Sequence, residues 1–148
     1  EVDTLMFEGH DTTAMALSWT IFLLGHHSDI QQRCQDELDK IFGSDNRQPD
    51  MDDLRSMKYL ECCIKESLRL FPSVPIIGRE VHTTFKLNKY EIPRGSVVLV
   101  FAYRLHRDEK NFPKPEEFIP DRFLPENLNG RHPFAYVPFS AGPRNCIG

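Results

Sequence analysis

The 148-residue chain has no excess of positive charge: 18 Lys and Arg face 22 Asp and Glu, for a formal net charge of −4. No basic stripe interrupts it, which argues against a nucleic-acid partner. The sequence also lacks a run of eighteen apolar residues, an initiator methionine and a signal peptide, so nothing in it reads as a membrane span or a secretory leader. Cysteine is sparse. Cys34, Cys62, Cys63 and Cys146 form no spaced framework, and the neighbours Cys62 and Cys63 point to different faces of a helix. All four read as reduced thiols, which suits a cytosol-facing protein. No C-x-x-C or paired ligand spacing joins them to His10, His26 or His27 as a zinc site.

Proline is nearly absent from the first half: ten of the eleven prolines lie at or beyond Pro72. The first half therefore reads as helical and the second as irregular with short strands. Residues 1 to about 25 form an apolar helix roughly 37 Å long at 1.5 Å per residue. It is apolar on most sides and is expected to be buried. Asp29 opens an amphipathic helix, with Ile30, Cys34, Leu38, Ile41 and Phe42 at helical spacing and Gly43 at its end. A polar loop over 44–50 leads to a short helical turn at Met51–Met57. A longer helix at Lys58–Leu70 follows, closed by Pro72. Val74–Val81, Thr84–Leu87 and Ser96–Phe101 read as strands, the last entered through a turn at Ile92–Gly95. From His106 to Pro138 periodicity is lost. So long an irregular stretch is improbable in a small free-standing domain and makes sense against a larger helical body.

The ten residues from Phe139 to Gly148 (Phe-Ser-Ala-Gly-Pro-Arg-Asn-Cys-Ile-Gly) carry the most chemical information. A lone cysteine is usually a small buried hydrophobe. Cys146 instead follows glycine, proline and arginine, where a new helix could begin. A thiolate ligand must be held deprotonated, and successive N–H groups at a tight turn supply that stabilisation. Gly142 permits a turn with positive φ. Gly148 leaves room for a flat ligand, and Arg144 is placed to pair with a carboxylate on it. A haem meets these demands: iron for sulfur, a flat face for glycine, propionates for arginine.

This stretch resembles the haem-thiolate signature of the cytochrome P450 superfamily: Phe, two residues, Gly, one, Arg, one, Cys, one, Gly. All five fixed positions match, at Phe139, Gly142, Arg144, Cys146 and Gly148. The resemblance extends over essentially all 148 residues. It implies an internal to C-proximal piece of a single catalytic domain, running from a long central helix to the cysteine loop of a mainly α fold with a small β portion.

Further motifs take their meaning from that resemblance. Glu66 and Arg69 lie three apart on the last turn of a helix, which alone suggests a weak exposed ion pair. The superfamily has a Glu-x-x-Arg helix and a later arginine. By resemblance Glu66, Arg69 and Arg122, in Pro120-Asp121-Arg122-Phe123, form a structural network that shapes the cysteine loop. Arg79 alone reads equally as a strand-end surface arginine. By resemblance it reaches a haem propionate, while the apolar Val74-Pro75-Ile76-Ile77-Gly78 before it lines a lipophilic substrate pocket. His106, Arg107 and Asp108 read as a framework turn without chemistry.

Glu8-Gly9-His10-Asp11-Thr12-Thr13 interrupts the apolar helix. Thr12 can bond the carbonyl of Glu8, and Gly9 weakens the helix, so one turn could open and admit a water. A mild kink without function is the simpler alternative. The superfamily has Ala-Gly-x-Asp-Thr here, which implies that Thr12 hydrogen-bonds dioxygen at the haem and that Asp11 helps deliver protons. Thr13 and His10 read as helix-packing residues. Glu8 stands where alanine is usual. With Leu5, Met6 and Phe7 the segment resembles the fourth family of the superfamily, in which this glutamate can form an ester with a haem methyl. Otherwise Glu8 faces a water-filled pocket or pairs with a cation.

The resemblance implies a monooxygenase with haem b, acting on a fatty acid, hormone or xenobiotic. It also implies an NADPH-dependent reductase or a cytochrome b-type donor as partner. An N-terminal anchor that this chain lacks would hold the protein on the cytosolic face of the endoplasmic reticulum membrane. A haem-thiolate isomerase or lyase acting on peroxides, and a non-catalytic haem carrier, remain as alternatives.

Overall fold

Four helices fill the first seventy residues, where proline is nearly absent. A computed structural model of the chain describes residues 1–147. Helix α1 spans Val2–His26, α2 Ser28–Phe42, α3 Met51–Ser56 and α4 Lys58–Leu70. The turn after α2 is made by Gly43, at φ 56°. Asp50 and Asp53 form a capping box at the start of α3, and Arg47 clamps the Asp53 carboxylate. Helix α4 has no capping side chain of its own. Glu37 of α2 serves instead, its two oxygens accepting the N–H groups of Tyr59 and Leu60 at 2.7 and 2.9 Å.

Two small antiparallel sheets follow. Strand β1 (Ile77–Glu80) pairs with β4 (Val97–Val100), placing Arg79 opposite Val98. Strand β2 (Phe85–Leu87) pairs with β3 (Tyr90–Ile92) through a two-residue turn in which Asn88 is left-handed at φ 53°. The first strand starts at Ile77 rather than Val74, because Pro75 has no N–H to give a ladder. The hairpin partner Tyr90–Ile92 and a short helix α5 (Ala102–Leu105) have no counterpart in the sequence-based expectation. The turn before β4 is present, closed by the Ser96 N–H on the Pro93 carbonyl. From His106 onwards the described residues are irregular apart from three 3-10 turns, each beginning with proline, at Pro120–Phe123, Pro125–Asn127 and Pro133–Ala135.

Helix α4 is the shared wall of the core. One of its faces places Cys63 with Leu23, Cys34, Tyr59, Leu70 and Phe118; another places Cys62 with Phe112, Phe123 and Ala135. The adjacent cysteines thus serve two clusters, and burial pushes both thiols up in pKa. Trp19 of α1 stacks on Phe71, with ring centroids 4.0 Å apart. Only the C-terminal part of α1 is packed in this way: Thr20 and Leu23 are its buried residues. The expectation of a buried helix fails over its first turns, where Phe7 is 74% exposed. An apolar pattern records what a helix must be covered by, and no element among the described residues covers that part of α1. His10 is also exposed rather than packed; its Nδ1 lies 2.8 Å from the Asp11 carboxylate.

Candidate functional site: the cysteine loop and its supports

The loop that presents Cys146 is built from backbone turns. The Val137 carbonyl accepts the Ser140 N–H at 3.2 Å, and the Gly142 carbonyl accepts the Asn145 N–H at 3.1 Å. The Phe139 carbonyl accepts the Cys146 N–H at 2.9 Å, closing the loop on itself. Two of its residues are left-handed, Gly142 at φ 85° and Ser140 at φ 63°. Glycine adopts that region freely, whereas Ser140 does so at a cost. Phe139, Arg144 and Cys146 are exposed. Gly148, the last position of the signature, lies outside the described residues.

Arg79 holds the loop against β1. Its Nη2 donates to the Ser140 hydroxyl at 2.6 Å and to the Arg144 carbonyl at 3.1 Å, and its Nη1 to the Gly78 carbonyl at 2.8 Å. The sequence suggested a cofactor carboxylate as its target. Here the guanidinium is engaged with the loop itself, the contact that compensates the unusual backbone of Ser140.

Glu66, Arg69 and Arg122 come together beneath this layer. Glu66 and Arg69 are fully buried and Arg122 almost so. Arg69 donates bidentately to Glu66, Nε to Oε2 and Nη2 to Oε1, both at 2.8 Å. Its remaining N–H groups reach the carbonyls of His106, Pro115 and Glu117. All five guanidinium donors are thereby used. Glu66 also accepts from Arg122 Nε at 3.2 Å and from the Ile119 N–H at 3.0 Å. Arg122 further donates to the Lys114 carbonyl at 2.7 Å. Burial pulls the Arg122 guanidinium below its ordinary pKa, with the Glu66 carboxylate opposing that shift.

On α1, the Thr12 hydroxyl donates to the Glu8 carbonyl at 2.6 Å. The helix nevertheless runs unbroken from Val2 to His26, so no turn is opened there. The Thr12 carbonyl accepts from the Ser73 hydroxyl at 2.8 Å, tying α1 to the segment between α4 and β1. Glu8, Asp11, Thr12 and Thr13 are exposed.

Several supports went unseen in the sequence. Arg33 donates to Asp121 at 2.7 Å and stacks on Tyr59. The Tyr136 hydroxyl donates to the Lys65 carbonyl at 2.8 Å. His106 is fully buried, and its Nε2 accepts the Val137 N–H at 2.9 Å. These contacts join residues far apart in the chain, and two of the four end on a main-chain atom that carries no sequence signal.

Burial, with help from the Arg69 and Arg107 charges, lowers the His106 pKa from 6.5 to about 4. The unfolded chain therefore takes up a proton first as the pH falls. The stability this residue contributes is complete above pH 6.5 and is lost on acidification towards about pH 4. The loss should be on the order of 3 kcal/mol. Urea midpoints measured on the intact protein across this range should show it, and His106→Gln should flatten that part of the profile. Equal slopes for both proteins would mean that His106 titrates normally.

The residues of the loop fit a haem. The thiol is exposed on a loop set by two left-handed residues, with the Arg144 side chain, the Phe139 ring and Ile147 exposed nearby. The three other cysteines are buried, with thiols raised in pKa, and so are poor ligands.

A family model described as cytochrome P450 matches residues 1–148. Cytochrome P450 4c3 of Drosophila melanogaster is 60% identical over 149 aligned residues, covering all of this chain and 28% of that protein. Cytochrome P450 4V2 of Homo sapiens is 55% identical and cytochrome P450 4c21 of Blattella germanica 52%, again over the whole chain. The chain spans 28–30% of the length of these curated relatives. All three carry the family number 4, in keeping with the resemblance read from Leu5–Thr13. With its signature loop, its mainly helical architecture and this agreement along the chain, it belongs to the cytochrome P450 family.

Proposed function

We propose that this chain is part of the single catalytic domain of a haem-thiolate monooxygenase, which inserts one oxygen atom of dioxygen into a C–H bond of a lipophilic substrate. The observation that carries this reading is the exposed Cys146 thiol on a loop stapled by Arg79 to β1. Cys146 would hold the iron through its thiolate, and a haem b bound there would supply the iron chemistry that activates dioxygen. Arg144 is free in direction to meet a propionate. Arg79 would meet one only with donors not already engaged by the loop. Phe139, Gly142 and Gly148 would lie along the cofactor. A separate reductase would supply electrons. Substrates of the fatty-acid, hormone or xenobiotic kind, and an anchor to the endoplasmic reticulum membrane, follow from the resemblance. Among the described residues no helix is long and apolar enough to cross a membrane. The test is turnover of the intact protein with reductase and isotope-labelled dioxygen. One labelled oxygen atom in the product is expected. Rearrangement of a peroxide without reductant would replace this reading with that of an isomerase.

Thr12 and Asp11 would handle protons. The Thr12 hydroxyl already gives its hydrogen to the Glu8 carbonyl, so its oxygen is left to accept from a water, and Asp11 can relay a proton to that water. Thr12→Ala should uncouple the enzyme: reductant consumption continues, product falls and peroxide rises. Unchanged product per reductant would make Thr12 a packing residue.

Glu8 would tether the cofactor. Its carboxylate would hold a haem through an ester to a methyl group, a C–O bond replacing a C–H bond, and the proton and two electrons released would be taken up by dioxygen reduced in turnover. After turnover, haem should co-migrate with the polypeptide in denaturing chromatography, and Glu8→Ala should release it all. Complete release from wild-type protein after turnover would eliminate the ester.

A further inference from the structure

We propose that His106 is a positioning residue for the thiolate loop, transmitting the order of the buried ion network to the backbone that sets Cys146. The role assigned to the loop rests on the haem-thiolate reading; the contact itself does not. His106 closes helix α5 and is fully buried. Its main chain belongs to the network, since its carbonyl accepts from Arg69 Nη1 at 3.0 Å. Its side chain belongs to the loop. Nε2 accepts the Val137 N–H at 2.9 Å, so the ring is neutral and Nδ1 carries the proton.

From Val137 the order continues along the chain. The Val137 carbonyl accepts the Ser140 N–H, Ser140 takes the strained left-handed conformation and receives Arg79, and the intervening Phe139 carbonyl accepts the Cys146 N–H. Tyr136, the residue before Val137, fixes the ring from the side. Its ring lies 5.1 Å from that of His106 and 4.8 Å from that of Phe123, and its hydroxyl is bonded to Lys65 of α4. One residue thus joins the C-terminal end of α4, through its carbonyl, to the first turn of the cysteine loop, through its ring.

A second observation sets this histidine apart from a filler. The buried Nδ1–H is directed at the main-chain carbonyls of Leu68 and Arg69, at the end of α4, and hydrogen bonding there opposes the lowering of the ring's pKa by burial. An apolar side chain would supply neither that donor nor the acceptor aimed at the Val137 N–H.

The test uses the intact, haem-loaded protein with three variants. His106→Gln places an amide oxygen near the position of Nε2. His106→Leu fills the space without an acceptor, and His106→Asn offers an acceptor too short to reach. Hydrogen exchange at the Val137 amide, followed by mass spectrometry of peptides covering 134–140, should rise about tenfold in the Leu and Asn variants and stay near wild type in Gln. In parallel, the reduced carbon monoxide complex should lose its thiolate-type red-shifted band about tenfold faster in Leu and Asn than in Gln, because the sulfur is less firmly held. If Leu does not fold, the contrast of Asn with Gln decides. Unchanged exchange at Val137, or band loss that follows the urea midpoint alike in all variants, would reduce His106 to packing. A wild-type protein without the red-shifted band would sink the haem-thiolate reading, while the exchange contrast would still judge the hydrogen bond.

Discussion

Arg69→Met should leave the intact protein destabilised by about 3–5 kcal/mol, the cost of breaking a buried ion pair on one side only. The reason is the number of groups that depend on one guanidinium. Glu66 loses two charge-assisted bonds, and the carbonyls of His106, Pro115 and Glu117 lose their donors. The His106 carbonyl, on a fully buried residue, adds about 1–3 kcal/mol when orphaned, whereas water can reach the carbonyls of Pro115 and Glu117. Folded domains hold only about 5–15 kcal/mol in reserve, so poor expression and loss of haem should accompany the change. Arg69→Lys should rescue little, because an ammonium has three donors and no fork. The triple variant Glu66→Met, Arg69→Met and Arg122→Met should be milder than the sum of the single changes, since removing Glu66 with Arg69 alone would still strand the Arg122 charge. Arg55 is the control: its pair with Asp52 is 2.9 Å long but exposed on both sides, and Arg55→Met should move the urea midpoint hardly at all. Equal shifts for Arg69 and Arg55 would refute the account of the network.

The second large effect is chemical. Cys146→Ser should abolish monooxygenation by the intact enzyme, and its reduced carbon monoxide complex should lose the strongly red-shifted Soret band. That band reports thiolate ligation, and a serine hydroxyl does not ionise to provide a comparable donor. The fold should survive, because Cys146 is exposed and serine retains the backbone N–H that bonds the Phe139 carbonyl. A retained band in Cys146→Ser would remove Cys146 as the ligand. Cys62→Ser gives a useful contrast, since it should cost stability through the buried cluster with Phe112 and Phe123 yet keep the band.

Much of this was legible in the sequence, for identifiable reasons. The helices of the first half show themselves through apolar spacing and the scarcity of proline, and Gly43 marks the end of α2 because few other residues accept φ 56°. The parts of the Glu66, Arg69 and Arg122 network were visible as two separate motifs. Their further acceptors, at His106, Pro115 and Glu117, were not, because every residue has a carbonyl. Likewise Glu37 caps a helix more than twenty residues away, where local pattern has no reach. The burial of α1 was misjudged because hydrophobicity is a property of the residues and burial one of their neighbours. Arg79 read equally as a strand-end surface arginine or, by resemblance, as a partner of a haem propionate; its contact with Ser140 depends on a left-handed serine that only the three-dimensional path reveals.

The spacing of the ion network along the chain also bears on how the protein reaches its native state. Glu66 is 53 residues from Ile119 and 56 from Arg122, while its pairing with Arg69 is local to one helical turn. Helix α4 can therefore form early with its acid and base paired but only partly satisfied. Closing the intervening chain costs entropy that grows slowly with its length and is repaid only when the whole segment arrives. Until then, α4 carries charge on the surface that is to become the wall between two apolar clusters. Arg69, bonded to the carbonyls of His106, Pro115 and Glu117, is fully satisfied only when that segment is in place, so the enclosure of its charge and the ordering of the chain that leads to the cysteine loop are coupled.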